Sequence, residues 1–181
     1  QAVATANKVV SVIKGKNIKV VWADAEDKTL QGLGINLINI LNAYKGVIEK
    51  AGYSFGVYTG LSFYNSYIRP YADKIDCPFW IARYYNSYNE MDFSKEPDKN
   101  FKPNISHRLV GWQYTSSGIV DGINDTVDLD KKYDSAKQEI FEQLDKDYIS
   151  GITLSGGDPF FMGNREEILS LIKEIKEKYP N

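Results

Sequence analysis

Apolar positions along the first 130 residues alternate between short continuous runs and helical spacing, and that alternation predicts an α/β fold. Val3, Val9, Val10, Val12 and Ile13 stand among small and polar residues as on one face of a helix, which Lys14-Gly15-Lys16 ends. Ile18 to Ala23 is an apolar run short enough to be a strand, and it delivers the chain into Asp24. From Gly34 to Ala51, Ile35, Ile38, Leu41, Tyr44 and Ile48 recur at helical spacing, with Gly52 as the stop. Tyr53 to Tyr58 reads as a second strand, Ser62 to Ile68 as a short helical stretch broken by Pro70, and Phe79 to Tyr84 as a third strand. Tyr85 to His107 has no period and reads as a long polar loop of the kind that carries function or moves. Arg108 to Tyr114 is a fourth strand, and turn residues between Ser116 and Asp130 frame the short runs Ile119-Val120 and Thr126 to Leu129.

Strands alternating with helices at these separations imply parallel pairing through right-handed crossovers, as in a β/α barrel. Four such units cannot close eight strands, which take about 250 residues. The expectation is an incomplete β/α (TIM-like) barrel followed by a short α-β-α segment. The opening fits this, because the chain starts on Gln1 already inside a helical pattern and reads as cut from something longer.

The texture changes near Lys131-Lys132-Tyr133. Asp134 to Asp147 reads as an amphipathic helix, Tyr148 to Leu154 as a strand, Ser155-Gly156-Gly157-Asp158-Pro159 as a glycine-rich turn, and Asn164 to Lys178 as a charged amphipathic helix. Eleven of the 13 tyrosines precede residue 134, and beyond it six basic residues face ten acidic ones. A boundary is therefore expected between 1–133 and 134–181.

Charge and cysteine content narrow the function classes. With 22 basic and 24 acidic residues the net charge of -2 gives no electrostatic reason for a nucleic-acid partner. No apolar run approaches the roughly 18 residues of a membrane span, and no export signal lies in this stretch. One cysteine, Cys77, excludes an internal disulfide or an all-cysteine metal site and reads as small buried filler beside Pro78. His107, the one histidine, has no second ligand at metal spacing and reads as a strand-entry residue, so no metal and no cofactor are expected. The 13% aromatic content supplies flat apolar faces with polar edges, suited either to stacking on sugar rings or to core packing.

Asp24 and Glu26 sit at the C-terminal end of the first strand, the rim where β/α barrels carry their chemistry. Residues i and i+2 of a strand share a face, with alpha carbons roughly 6.6 Å apart, so both carboxyls can address one ligand. Repulsion and partial burial would keep one protonated as a general acid while the other stays charged. The same Asp-Ala-Glu-Asp-Lys run is also ordinary strand-end polarity, and spacing alone leaves both readings open.

Five stretches occur in order: Val21-Trp22-Ala23-Asp24-Ala25-Glu26-Asp27, Gly52 to Tyr58, Phe79-Trp80-Ile81-Ala82-Arg83-Tyr84, Trp112-Gln113-Tyr114-Thr115-Ser116-Ser117-Gly118 and Val127-Asp128-Leu129-Asp130. In order and spacing they resemble the C-terminal part of the family 25 glycoside hydrolases, the cell-wall lysozymes of bacteria and phages. The resemblance implies cleavage of the β-1,4 bond between N-acetylmuramic acid and N-acetylglucosamine in peptidoglycan, outside the cell or at the cell wall. By the same resemblance Glu26 is the general acid and Asp24 the carboxylate that assists the substrate's own acetamido group. Asp128 is then a further acid on the cleft rim, with Asp121 the second candidate for that place, and Tyr58, Trp80, Tyr84, Trp112 and Gln113 line the sugar groove.

Members of that family begin with a strand carrying another active-site aspartate, and no such strand precedes the helix at Gln1. The expectation is a barrel without its first half, self-associating through uncovered edges and impaired in turnover. The competing reading is a non-catalytic remnant that still binds cell-wall glycan. Residues 134–181, with the Ser-Gly-Gly-Asp-Pro turn leading to Gly163-Asn164-Arg165 and the final helix, resemble the activating enzyme of anaerobic ribonucleotide reductase, a radical S-adenosylmethionine protein. The three-cysteine loop that would hold its iron-sulfur cluster is absent, and Cys77 cannot replace it. The chain thus reads as a chimera of two fragments.

Overall fold

Helix α1 (Ala2–Ile13) leads into strand β1 (Val20–Asp24), and helix α2 (Ile35–Lys50) into strand β2 (Ser54–Gly60). The stop of α2 has a plain cause. Gly52 takes φ +89°, its N–H bonds to Glu49 O, and Tyr53 N–H reaches back to Ile48 O, which satisfies the last carbonyls of the helix. A helical turn α3 (Leu61–Phe63) widens into a π-turn over Tyr64–Ile68 and tightens into a 3₁₀ stretch over Arg69–Lys74. Pro70 therefore does not end the helical path. It stands in the first turn of the 3₁₀ stretch, where its missing N–H costs nothing, and the kink falls at Tyr71. Strands β3 (Phe79–Ala82), β4 (Met91–Asp92), β5 (Leu109–Ile119) and β6 (Val127–Lys132) follow, and the last helix is α4 (Arg165–Lys178). The computed structural model describes residues 1–87, 89–133, 140–141, 144–145 and 165–180. Most of the helix expected over 134–147, the strand expected over 148–154 and the Ser-Gly-Gly-Asp-Pro turn lie outside them.

Among the described residues the strands form one six-stranded sheet in the order β1-β2-β3-β5-β4, with β6 paired to β5. β1, β2, β3 and β5 run parallel, as their spacing predicts. β6 departs from that pattern and pairs antiparallel with β5. β5 is also longer than the predicted 108–114 strand, because Thr115 to Gly118 continue it between β4 and β6. Register shifts between Gln113 and Thr115 and between Thr115 and Gly118 absorb the turn-forming residues as bulges. At Gly118 a Cβ would fall 2.2 Å from Leu129 Cγ, so only glycine lets β6 lie this close.

The main core lies between the helices and one face of the sheet. Phe55, Val57, Phe79 and Ile81 point from β2 and β3 toward Leu37, Ile38, Leu41 and Ile48 of α2 and Ala6 of α1. Each fully buried Leu, Ile or Phe side chain contributes about 1.5–3 kcal/mol, so this layer fixes which face of every strand turns inward. Ile35, expected on the buried side of α2, is 41% exposed. Ala25, just past β1, is buried and tied on both sides: its N–H bonds to Tyr58 O and its carbonyl accepts from Thr59 Oγ1 at 2.7 Å.

The 85–107 connection is irregular but anchored. Arg83 Nη1 donates to Phe101 O at 2.7 Å, Tyr85 stacks on Phe101 at 4.7 Å, and Asp98 N–H bonds to Tyr85 Oη. His107 closes it, with Nδ1 2.7 Å from Tyr64 Oη and Nε2 about equally far from Ala72 O and Ile75 O. Cys77 is buried, and burial pushes its thiol up to about 12.

The chain divides into two compact units, Gln1–Tyr133 and Asp134–Asn181. In the second, Lys178 Nζ bonds to Asp145 at 2.7 Å and Tyr179 stacks on Phe141. Among the described residues no helix is long and apolar enough to cross a membrane.

Candidate active site

The core takes one face of the sheet, so period-2 alternation turns the other set of side chains the opposite way. Register then arranges them in rows. Asp24 pairs with Tyr58, Tyr58 with Trp80, and Trp80 with Gly111 across β1, β2, β3 and β5. The next row runs from Gly60 to Ala82, Gln113 and Asp130. Glu26 joins that row because its carboxylate accepts the Gly60 N–H. Gly60 and Ala82 give the row a low floor between larger neighbours.

Both acids are exposed, and Asp24 and Glu26 are near enough for their charges to interact. Partial desolvation and, second, the charge of Asp24 raise the Glu26 carboxyl above its ordinary range, against the opposing Gly60 hydrogen bond. Asp27 plays no part in this pair. It caps the 3₁₀ turn Lys28–Leu30, accepting from Thr29 N at 2.8 Å and Thr29 Oγ1 at 2.7 Å. Neutralising Asp24 removes one of the two causes acting on Glu26. In Asp24→Asn the Glu26 carboxyl is expected to lose its proton at lower pH while staying above an ordinary glutamate, read by ¹³C carboxyl NMR titration. An unmoved Glu26 titration would separate the two acids.

Tyr58 and Tyr84 converge on a single acceptor. Their hydroxyls donate to Gln113 Oε1 at 2.7 and 2.5 Å, and Gln113 is only 6% exposed. Burial first, and each other's proximity next, push the Tyr58 phenol far upward, and burial raises Tyr84 too, so both stay protonated donors. Asp128 acts on both phenols from β6, while Asp121 lies exposed in the turn before it. Trp80 is half-buried and meets Tyr58 edge to face at 5.8 Å and Trp22 at 5.7 Å.

Trp112 faces the other way. It is 1% exposed, packs with Tyr114 and Leu129 in a second cluster, and donates its indole N–H to Arg83 O at 3.0 Å. It lies on the opposite face of β5 from Gln113 and cannot stack a sugar. Trp22 and Asp130 share the face of the acids although sequence reasoning left them out. Alternation from Asp24 and from Asp128 was the signal that could have found them. Among the described residues no group of three His, Cys, Asp or Glu side chains could hold a metal.

The sequence model of glycosyl hydrolases family 25 matches residues 1–123, well over half of the chain. The chain belongs to this family. The autolytic lysozyme of Clostridium acetobutylicum is 37% identical over 75 residues, which are 41% of this chain and 18% of that protein. The catalytic domain of endolysin ply40 from a Listeria monocytogenes bacteriophage is similar in structure. Its TM-score is 0.52 at 25% identity, and the match covers 79% of this chain and 64% of that one. A family 25 glycosyl hydrolase from Bacillus anthracis shares the fold, with TM-score 0.52 at 21% identity over 79% of this chain and 62% of its own.

The remainder of this family 25 chain is similar to something else. A 4Fe-4S single cluster domain matches residues 119–181. The anaerobic ribonucleoside-triphosphate reductase-activating protein of Enterobacteria phage T4 is 46% identical over 43 residues, 24% of this chain and 28% of that protein. The chain thus spans less than a third of either curated relative it matches. A 4Fe-4S cluster needs thiolate or, in some centres, imidazole ligands, and residues 119–181 contain neither cysteine nor histidine. The residues present do not fit that cluster.

Proposed function

We propose that residues 1–133 are the acid-bearing part of an N-acetylmuramidase site that cleaves the β-1,4 bond between N-acetylmuramic acid and N-acetylglucosamine in peptidoglycan, outside the cell or at the cell wall. The observation that carries the reading is the Asp24 and Glu26 pair: the carboxyl with the raised proton affinity is held against the Gly60 N–H, beside a second acid and on the face that bears Tyr58 and Trp80. Glu26 donates the proton to the leaving oxygen, and Asp24 supports the substrate's acetamido group as it closes on the anomeric carbon. Tyr58, Trp80 and Tyr84 line the groove with Asp128 on its rim. Gln113, whose oxygen is taken by two phenols, offers its amide hydrogens to the sugar. In this reading the parallel sheet is part of a β/α barrel, 1–133 is a partial catalytic domain, and 134–181 is a fragment of a radical-enzyme activase that holds no cluster.

A second reading, a glycan-binding remnant without turnover, draws support from β1, which pairs only with β2 among the described residues and leaves the acids at a sheet edge. Product analysis separates the two. A complete family 25 barrel carrying residues 1–133 is incubated with peptidoglycan and the new reducing ends are reduced with borohydride. Muramitol is the expected product. Glucosaminitol in its place would overturn the bond assignment, and binding without new reducing ends would favour the remnant.

A further inference from the structure

The indole of Trp80 reaches across a neighbouring strand. A Cβ on Gly111 of β5 would fall 2.8 Å from both Cγ and Cδ1 of Trp80 and 3.1 Å from Nε1. Three pyrrole atoms at nearly equal distance mean that the ring lies face-on over the glycine. Its Nε1–H then passes β5 and donates to Asp130 Oδ1 on β6 at 2.8 Å. Tyr58 and Trp22 meet the ring at 89° and 85° in T-shaped contacts that steady it. One face of the indole rests on bare backbone, and its polar edge is held by a carboxylate.

We propose that Asp130 is a positioning residue which, with the side chain-free backbone at Gly111, fixes Trp80 as the sugar-stacking platform of the cleft. The proposal rests on the reading of this cleft as a glycan site. An indole offers a single N–H donor, and a carboxylate is a strong acceptor for it. A tryptophan on β3 has other rotamers available. The acceptor on β6 selects the one that spans β5, and a methyl group at position 111 would forbid it. Asp130 touches no sugar in this arrangement. Its effect passes through the indole, and burial together with the nearby Asp128 charge raises its carboxyl against the pull of the Trp80 bond.

The test uses the full 181-residue chain labelled with ¹⁵N at tryptophan, the Trp80 indole resonance being assigned with Trp80→Phe. Affinity for N,N′,N″-triacetylchitotriose is measured beside it. Asp130→Leu should move the Trp80 indole N–H resonance upfield and weaken binding about tenfold, the loss expected for one charge-assisted hydrogen bond. Asp130→Asn keeps an acceptor and should restore both readouts. Gly111→Ala displaces the ring and should shift the same resonance even if Asp130→Leu folds poorly. In a Trp80→Phe background, Asp130→Leu should cost nothing further in binding. An unmoved indole resonance in both Asp130→Leu and Gly111→Ala would overturn the proposal, as would Asp130→Asn losing as much as Asp130→Leu. If the indole shifts as expected but the unaltered chain does not bind the trisaccharide, the indole anchoring stands and the glycan reading fails.

Discussion

Glu26→Gln, in a complete family 25 barrel carrying residues 1–133, is expected to lower peptidoglycan turnover by about three orders of magnitude, the scale of a lost general acid. Glutamine keeps the shape of the side chain and can still accept the Gly60 N–H, so the strand end should keep its geometry. What disappears is the proton. In the proposed mechanism Glu26 is the acid of the pair for a physical reason: partial desolvation disfavours its charged form, and the neighbouring Asp24 charge adds to that. A glycosidic oxygen leaves as an alkoxide unless it is protonated as the bond breaks, so the rate should fall far more than binding does. The measurement is the initial rate of clearing of a cell-wall suspension, with the urea midpoint recorded beside it. A rate like that of the unaltered protein at an unchanged midpoint would remove Glu26 from the chemistry.

Much of the parallel sheet could be read from the chain because its signals are local. The Ile18 to Ala23 run yields β1, the spacing from Ile38 to Ile48 yields α2, and Gly52 supplies a left-handed stop where one was needed. β5 and β6 were less legible. Thr115 to Gly118 carry turn propensity, and pairing with β6, joined at Gly118 by β4, keeps them extended. The antiparallel pairing of β6 did have a local mark: only residues 120–126, with the Asp121-Gly122 turn, separate it from β5, too few for a parallel crossover. Trp112 is different, because strand alternation alone decides its side. Trp112 and Gln113 are adjacent on one strand, so they cannot both face the groove, and the buried oxygen that gathers Tyr58 and Tyr84 belongs to Gln113. The same rule would have placed Asp130 with Asp128.

Residues 1–181 by themselves are expected to clear cell walls at least about 100-fold more slowly than a complete family member, since a displacement of about 1 Å in a reacting centre already costs that much. The cause is the outer side of β1. Among the described residues it pairs with β2 alone, Ile18 and Val20 are 40% and 37% exposed, and the face bearing Trp22, Tyr58 and Trp80 is only half-buried. If about 300 Å² of apolar surface that another element could cover stays wet, about 7.5 kcal/mol of stabilisation is forgone at about 25 cal/mol per Å². That is comparable with the whole net stability of a small domain, about 5–15 kcal/mol. An unpaired parallel edge also offers its N–H and C=O groups to any second strand, and a second copy of the chain is the nearest source. The chain is therefore expected to elute as a concentration-dependent mixture of monomer and larger species in size-exclusion chromatography with light scattering. A monodisperse monomer that clears walls as fast as a complete family member would show that the described cleft needs no second wall.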